Sequence, residues 1–252
     1  MIVRHKDSET ALCISQVHHS AMTGELARLW NQAFLPFPNF PNDLILAAAL
    51  HDIGWTSWEE NPSIDPKTGH PYDFLEMPKD AHLKIWNEGL SRSLPFSRLC
   101  GLLVFRHNTY LAAQQSLDEL PENKKQVFEA FFKDAEKNKV TLLESLSANL
   151  GADFDETTLD LMNRFILLWD YISLRMCMGK DNNPFGSPPE LQFINFEMIP
   201  TQTDDIFMLD PWPFTVHEFV WQCEVQYHKL GDSFEHDPQK KQFLKLYLKP
   251  KS

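Results

Sequence analysis

Hydrophobic positions along the chain change period twice, and the changes outline the fold. Residues 1–14 alternate weakly and predict an edge hairpin, Met1–His5 and Thr10–Ile14, around a polar Lys-Asp-Ser-Glu turn. From Ser15 to Phe34 the apolar residues recur at three- and four-residue steps, which predicts a helix. Pro36, Pro38 and Pro41 then break the chain, and Asn42 is placed to cap a short apolar helix that ends at Gly54. Residues 55–77, rich in tryptophan, proline and turn residues, predict an ordered loop lying over the body. Further helices are expected over 79–93, from Ser97 to Leu117, from Pro121 to 149 with a stop at Gly151, and from an Asp155 cap to Gly179.

After Gly179 the pattern shortens. Asn182-Asn183-Pro184, Gly186 and Pro188-Pro189 read as loops, and four segments read as strands: 191–199, 205–209, 215–228 and 243–248. The expected fold is mainly α in one domain, 1–252. A helical core spans 15–180, and 1–14 with 190–250 form a small antiparallel β appendage.

Composition narrows the partners. The chain has 252 residues with a net charge of −12, whereas phosphate backbones and anionic membranes attract basic patches. Nucleic acid and membrane partners are therefore not expected, and no apolar run is long enough to span a bilayer. Cys13, Cys100, Cys177 and Cys223 lie far apart, so reduced thiols are expected rather than a cysteine zinc site. A cytoplasmic location follows as the expectation.

Candidate chemistry comes from metal-competent side chains on otherwise apolar faces. His19 shares its face with Met22, Leu26, Trp30 and Ala33, whereas His18 shares a polar one with Glu25, Arg28 and Gln32. His51 lies below Leu44, Ala47 and Ala48, and Asp52 below Ile45, Ala48 and Ala49. His82 aligns with Ile85, Trp86 and Gly89; His107 follows Cys100, Leu103 and Val104; Asp170 sits among Met162, Ile166, Leu174 and Cys177. A lone inward histidine is more often a hydrogen-bonded core residue, and Asp170 alone has a cap or Arg175 as alternatives. Taken together they favour a shared cation, because a buried charge must be paired or bind metal. Imidazole and carboxylate suit Zn, Fe, Mn or Ni. His5, His18, His70, His217, His228 and His236 lack such surroundings.

The order His19, His51-Asp52, Asp170 resembles the H…HD…D signature of the HD-domain superfamily, over roughly 15–180. His82 and His107 resemble the extra histidines of its two-metal members. The resemblance implies an HD-like helical bundle with two metal ions. His19, His51, Asp52 and Asp170 would hold the first, Asp52, His82 and His107 the second, with Asp52 bridging and catalytic. Gln16-Val17-His18-His19, the 51–60 segment HDIGWTSWEE with a later Thr-Gly-His-Pro, LLVFRH, DYISLRMC and DPWPF are similar to an uncharacterised bacterial family of HD-like proteins, from which His18 departs.

Trp55, Trp58, Glu59, Asp65 and Tyr72 are candidates to line a pocket mouth and bind a small-molecule substrate; the alternative is that the tryptophans only seal helix ends. Three functions follow from the resemblance. The first is hydrolysis of a small phosphate ester by a water activated between two cations. The second is di-iron oxygenase chemistry of the inositol oxygenase type, and the third is a non-catalytic metal-stabilised protein. The loop 55–77 carries Glu59, Glu60, Asp65, Asp73 and Glu76 against Lys67 alone, which disfavours a polyphosphate.

Overall fold

The structure is a computed structural model that describes the chain apart from residues 6, 37–41, 119, 151–154, 181–194, 235–240 and 252. Lys6 of the first turn, the breaks at Pro38 and Pro41, the stop at Gly151, the loops over 182–189 and the start of the 191–199 strand lie outside the described residues. Two strands, β1 (Ile2–His5) and β2 (Thr10–Ile14), open the chain. The helices α1 (Gln16–Leu29), α2 (Asn42–Leu50), α3 (Thr56–Glu60), α4 (Lys79–Ser93), α5 (Arg98–Ala113), α6 (Glu122–Leu150) and α7 (Glu156–Met178) follow. The strands β3 (Glu197–Pro200), β4 (Ile206–Asp210), β5 (Phe219–Lys229) and β6 (Lys241–Pro250) close it.

The sheet corrects the expected fold class. Among the described residues it is six-stranded and mixed, in the order β1-β2-β5-β6-β4-β3, with β4 parallel to β6 (Phe207 opposite Leu248) and the other pairs antiparallel. The protein is therefore a helix-and-sheet structure, not a mainly helical bundle with a small antiparallel sheet. The reason lies in the connection 211–218. Asn31 donates its N–H to the Pro213 carbonyl at 2.7 Å, and Thr215 N–H reaches the Leu29 carbonyl at 2.9 Å. These bonds strap the connection to the end of α1, and Trp30 bridges Phe214 instead of continuing the helix. After the connection β5 pairs with β2 and β6, so β6 fills the place between β5 and β4. Two reversals of direction then leave β6 parallel to β4. No period in the sequence encodes that insertion.

Nor is the sheet an appendage. Leu12, Ile14, Phe207, Leu209, Phe219, Cys223, Leu246 and Leu248 share one buried core with Met22, Leu26, Trp169, Ile172 and Met176 of α1 and α7. Period-two alternation supplies these residues: Phe219, Cys223 and Val225 are buried along β5, while Val220 between them is exposed. Fully burying each large apolar side chain contributes about 1.5–3 kcal/mol, so sheet and helices hold each other in place.

Candidate metal centre

Helix α1 is anchored at its start by a carboxylate from α3. Glu59 accepts from the Ser15 hydroxyl at 2.5 Å and from the Gln16 N–H at 2.7 Å, while Ser15 caps the helix by accepting from the His18 N–H. Close helix contacts then set the depth of the histidines. A Cβ on Gly24 would lie 2.4 Å from the Ala49 Cβ, so α1 and α2 cross almost backbone to backbone. This brings the His19 and His51 rings to a centroid distance of 5.2 Å. A Cβ on Gly54 would fall 2.0 Å from the Ile85 carbonyl oxygen, so the 3₁₀ turn after the His-Asp pair lies directly on α4. The pair itself stands beyond α2, which ends at Leu50, not on the helix as the periodicity suggested.

Four ligand-type atoms converge from α1, the α2 end and α7. His19 Nε2 lies 3.0 Å from Asp170 Oδ1 and 3.6 Å from Asp52 Oδ2. His51 Nε2 lies 3.4 Å from each of the same two oxygens. A cation with ligand bonds of about 2.0–2.2 Å has neighbouring ligands about 3.0–3.6 Å apart, along octahedral or tetrahedral edges. The observed spacings match those edges. His107 Nε2, from α5, lies 3.6 Å from Asp170 Oδ2. Two groups of ligand atoms thus fall within 4.8 Å of one another, His19 with His51 and Asp52, and His51 with His107 and Asp170. His82 is in neither group. It stacks on Trp86 and meets Trp55 edge-on.

Hydrogen bonds around the centre fix the ring orientations. His51 Nδ1 is 2.8 Å from the Ala48 carbonyl, an acceptor that requires Nδ1–H and leaves Nε2 facing the carboxylates. His19 Nδ1 is 2.8 Å from the Ser173 hydroxyl, which itself donates to the Asp170 carbonyl. Asp52 Oδ1 accepts from the Trp55 indole at 3.1 Å, turning Oδ2 inward. Such outer contacts orient metal-binding side chains. Both nitrogens of His107 are buried with no hydrogen-bond partner, and the equally buried His19 Nε2, His51 Nε2 and Asp170 Oδ1 face one another across the cluster. Leaving one such atom unsatisfied costs about 1–3 kcal/mol, so a cluster of them calls for a shared partner.

Electrostatics agree. Burial opposes charge on His51, but the Asp52 and Asp170 carboxylates outweigh it and hold its pKa well above the ordinary value. Burial would likewise raise both aspartates, yet the facing histidines, His51 foremost, pull them below the usual carboxylate range. His107, lowered to about 4 by burial and by neighbouring His51, is neutral and ligand-competent at pH 7, as is His82, lowered to about 4 by burial.

The centre forms the floor of a cavity of about 660 Å³, to which Asp52, His82, His107 and Asp170 all contribute. Of the five residues expected at its mouth, Trp55 lines it. The other four stand elsewhere in the structure. Glu59 caps α1, and Trp58 packs against Trp55 and the β1–β2 hairpin. Asp65 accepts from Lys67 N–H within its own turn, while Tyr72 packs beside Trp55 and Met77. His18, one residue from His19, instead accepts from the Glu224 N–H on β5. Sequence reasoning missed the walls: Gln16, Phe74, Met77, Trp86, Leu111, Leu120, Tyr171 and Leu174. Only Gln16, one helical turn before His19, carried a usable signal. The other walls look like ordinary core positions.

Fold and site define a mixed helix–sheet protein with a buried histidine–aspartate cluster opening into a cavity. No described helix is long and apolar enough to cross a membrane. A family model described as protein of unknown function (DUF3891) matches residues 1–229, and the chain belongs to that family. No curated protein and no solved structure matches it.

Proposed function

We propose that this protein is a metal-dependent hydrolase of the HD type, acting on a small ester such as a phosphate monoester. The observation that supports it most is the 3.0–3.6 Å spacing of His19 Nε2 and His51 Nε2 from carboxylate oxygens of Asp52 and Asp170, the two aspartates lining the cavity. The residues fit a cation in number, charge and softness, two imidazoles with two carboxylates, and a bound cation would take the place of the proton that the carboxylates hold on His51. When bound there, a divalent ion polarises a substrate oxygen and lowers the pKa of water. The chain supplies the rest. Trp55 holds Asp52 in orientation, Ser173 and Ala48 fix the two histidine tautomers, and the cavity walls exclude bulk water. A second cation would draw on His107, which stands with His51 and Asp170, whereas His82 lies outside both ligand groups.

The test is elemental analysis of protein purified without added metal, followed by hydrolysis assays on p-nitrophenyl phosphate and p-nitrophenyl carboxylate esters. One or two equivalents of Mn, Zn or Ni with metal-dependent turnover are expected. Two irons with a mixed-valent signal and no ester cleavage would point to the oxygenase instead. Metal without turnover on any substrate would leave a structural role, and no metal at all would overturn the proposal.

A further inference from the structure

Above the His/Asp floor the cavity changes character. Trp55, Phe74, Trp86, Leu111, Tyr171 and Leu174 stand among its walls, and a volume of about 660 Å³ suits a drug-sized molecule. Among the described lining residues Lys79 alone carries a permanent positive charge, and its ammonium is bound to the Ser116 carbonyl at 2.6 Å. Arg106, on the same helix as His107, is engaged by Glu156 and Asp160. The walls therefore offer little to a highly anionic ligand beyond the floor itself. Neutral polar side chains also line the space, among them Gln16 and Gln115. Gln16 lines the cavity with Asp52 and Trp55, is 2% exposed, and its Oε1 has no hydrogen-bond partner. Its backbone N–H is already engaged by Glu59, so the helix start is held without the side chain, and Oε1 is left for a ligand. An unpaired buried carbonyl oxygen is costly unless something donates to it.

We propose that the cavity binds a small molecule with an apolar ring or chain as its body, and that the Gln16 carboxamide hydrogen-bonds its polar head. Placing that head at the metal rests on the hydrolase reading; the apolar body and the Gln16 contact do not. The orphaned Oε1 accepts, so it calls for a head that donates, an amide N–H or a hydroxyl, without requiring charge. Binding energy from the apolar body would then position the head over the floor.

Calorimetric titration separates the two parts. Metal-loaded protein is titrated with acetohydroxamate, phenylacetohydroxamate and octanohydroxamate, and chelator-stripped protein with acetamide, phenylacetamide and octanamide. Affinity should rise at least tenfold from the two-carbon to the eight-carbon probe in both series, since a buried methylene tightens binding roughly fourfold. Gln16→Ala should weaken every probe about tenfold with tail dependence and metal content unchanged. Leu111→Glu should abolish the tail dependence and spare acetohydroxamate. Equal affinities along both series would overturn the apolar body, and probe binding untouched by Gln16→Ala would overturn the Gln16 assignment. Tail-dependent amide binding to a protein that takes up no metal would sink the hydrolase reading while this one stands. A hydroxamate series that binds metal without tail dependence would do the opposite.

Discussion

Replacing Asp170 by asparagine keeps the shape and removes the charge, and the structure sets how much that should matter. One carboxylate oxygen of Asp170 faces both His19 and His51, at 3.0 and 3.4 Å, and the other faces His107 at 3.6 Å. Removing an outer-shell partner of a metal ligand already costs 10- to 100-fold in affinity, so losing a direct ligand should cost at least about 100-fold. With metal at a hundred times its Kd, binding stabilises the native state by about 2.7 kcal/mol; a hundredfold weaker site leaves roughly 0.4 kcal/mol. That difference corresponds to a drop of about 5–9 °C in Tm for a chain of this size. Without metal the variant should still melt lower than wild type, because His51 loses one of the two carboxylates that hold its charge, and breaking such a buried pair costs about 3–5 kcal/mol. The assay is metal content and thermal melting of both proteins, with and without chelator. Asp160→Asn, on the same helix but with a side chain 66% exposed, is the control and should stay within the ~1 kcal/mol of a surface ion pair. If Asp170→Asn keeps the wild-type metal content and melts within 2 °C of wild type in both conditions, Asp170 is an ordinary core residue and the metal centre is misread.

His19→Ala should strip the first metal, while His18→Ala should leave metal content intact and cost only about 0.5–1.5 kcal/mol in chemical denaturation for its bond to Glu224; the reverse pattern would show that the wrong histidine faces the centre. Trp55→Phe keeps an aromatic wall but frees Asp52 Oδ1, so metal affinity should fall 10- to 100-fold by competition with a chromogenic chelator, and an unchanged affinity would remove Trp55 from the support of the site. Gly54→Ala puts a methyl into the Ile85 carbonyl and should destabilise by about 1–3 kcal/mol in urea, with wild-type stability counting against the close approach of that turn to α4. All four cysteines are buried, and burial pushes the Cys13 and Cys100 thiols up to about 12, so a thiol reagent at pH 8 should label none in the native protein and four after unfolding; fast labelling of any one in the native state would contradict this packing.

The helix periods and caps were legible locally. The helix expected over 79–93 is α4, and Asp155 caps α7 by accepting from the Thr158 N–H, because such signals act within one turn of chain. The inward faces of His19, His107 and Asp170 were equally readable, since a polar side chain on an apolar stripe must meet something other than water. What the sequence could not show is where those faces meet. His107 stands with His51 and Asp170, and His82 stands against Trp86 at the cavity wall, because helix crossings at Gly24 and Gly54 decide which ligands share a space. The loop residues chosen for their chemistry went elsewhere for the same reason, with Glu59 taken up by the start of α1 and Asp65 by its own turn. The cavity walls carry no local mark: Leu111 or Tyr171 reads as core whether it packs on a neighbour or faces a void. The mixed sheet also needed the third dimension. A strand's alternation records which side is buried, but it is silent on its neighbours and their direction, and those were set by the connection strapped across the end of α1.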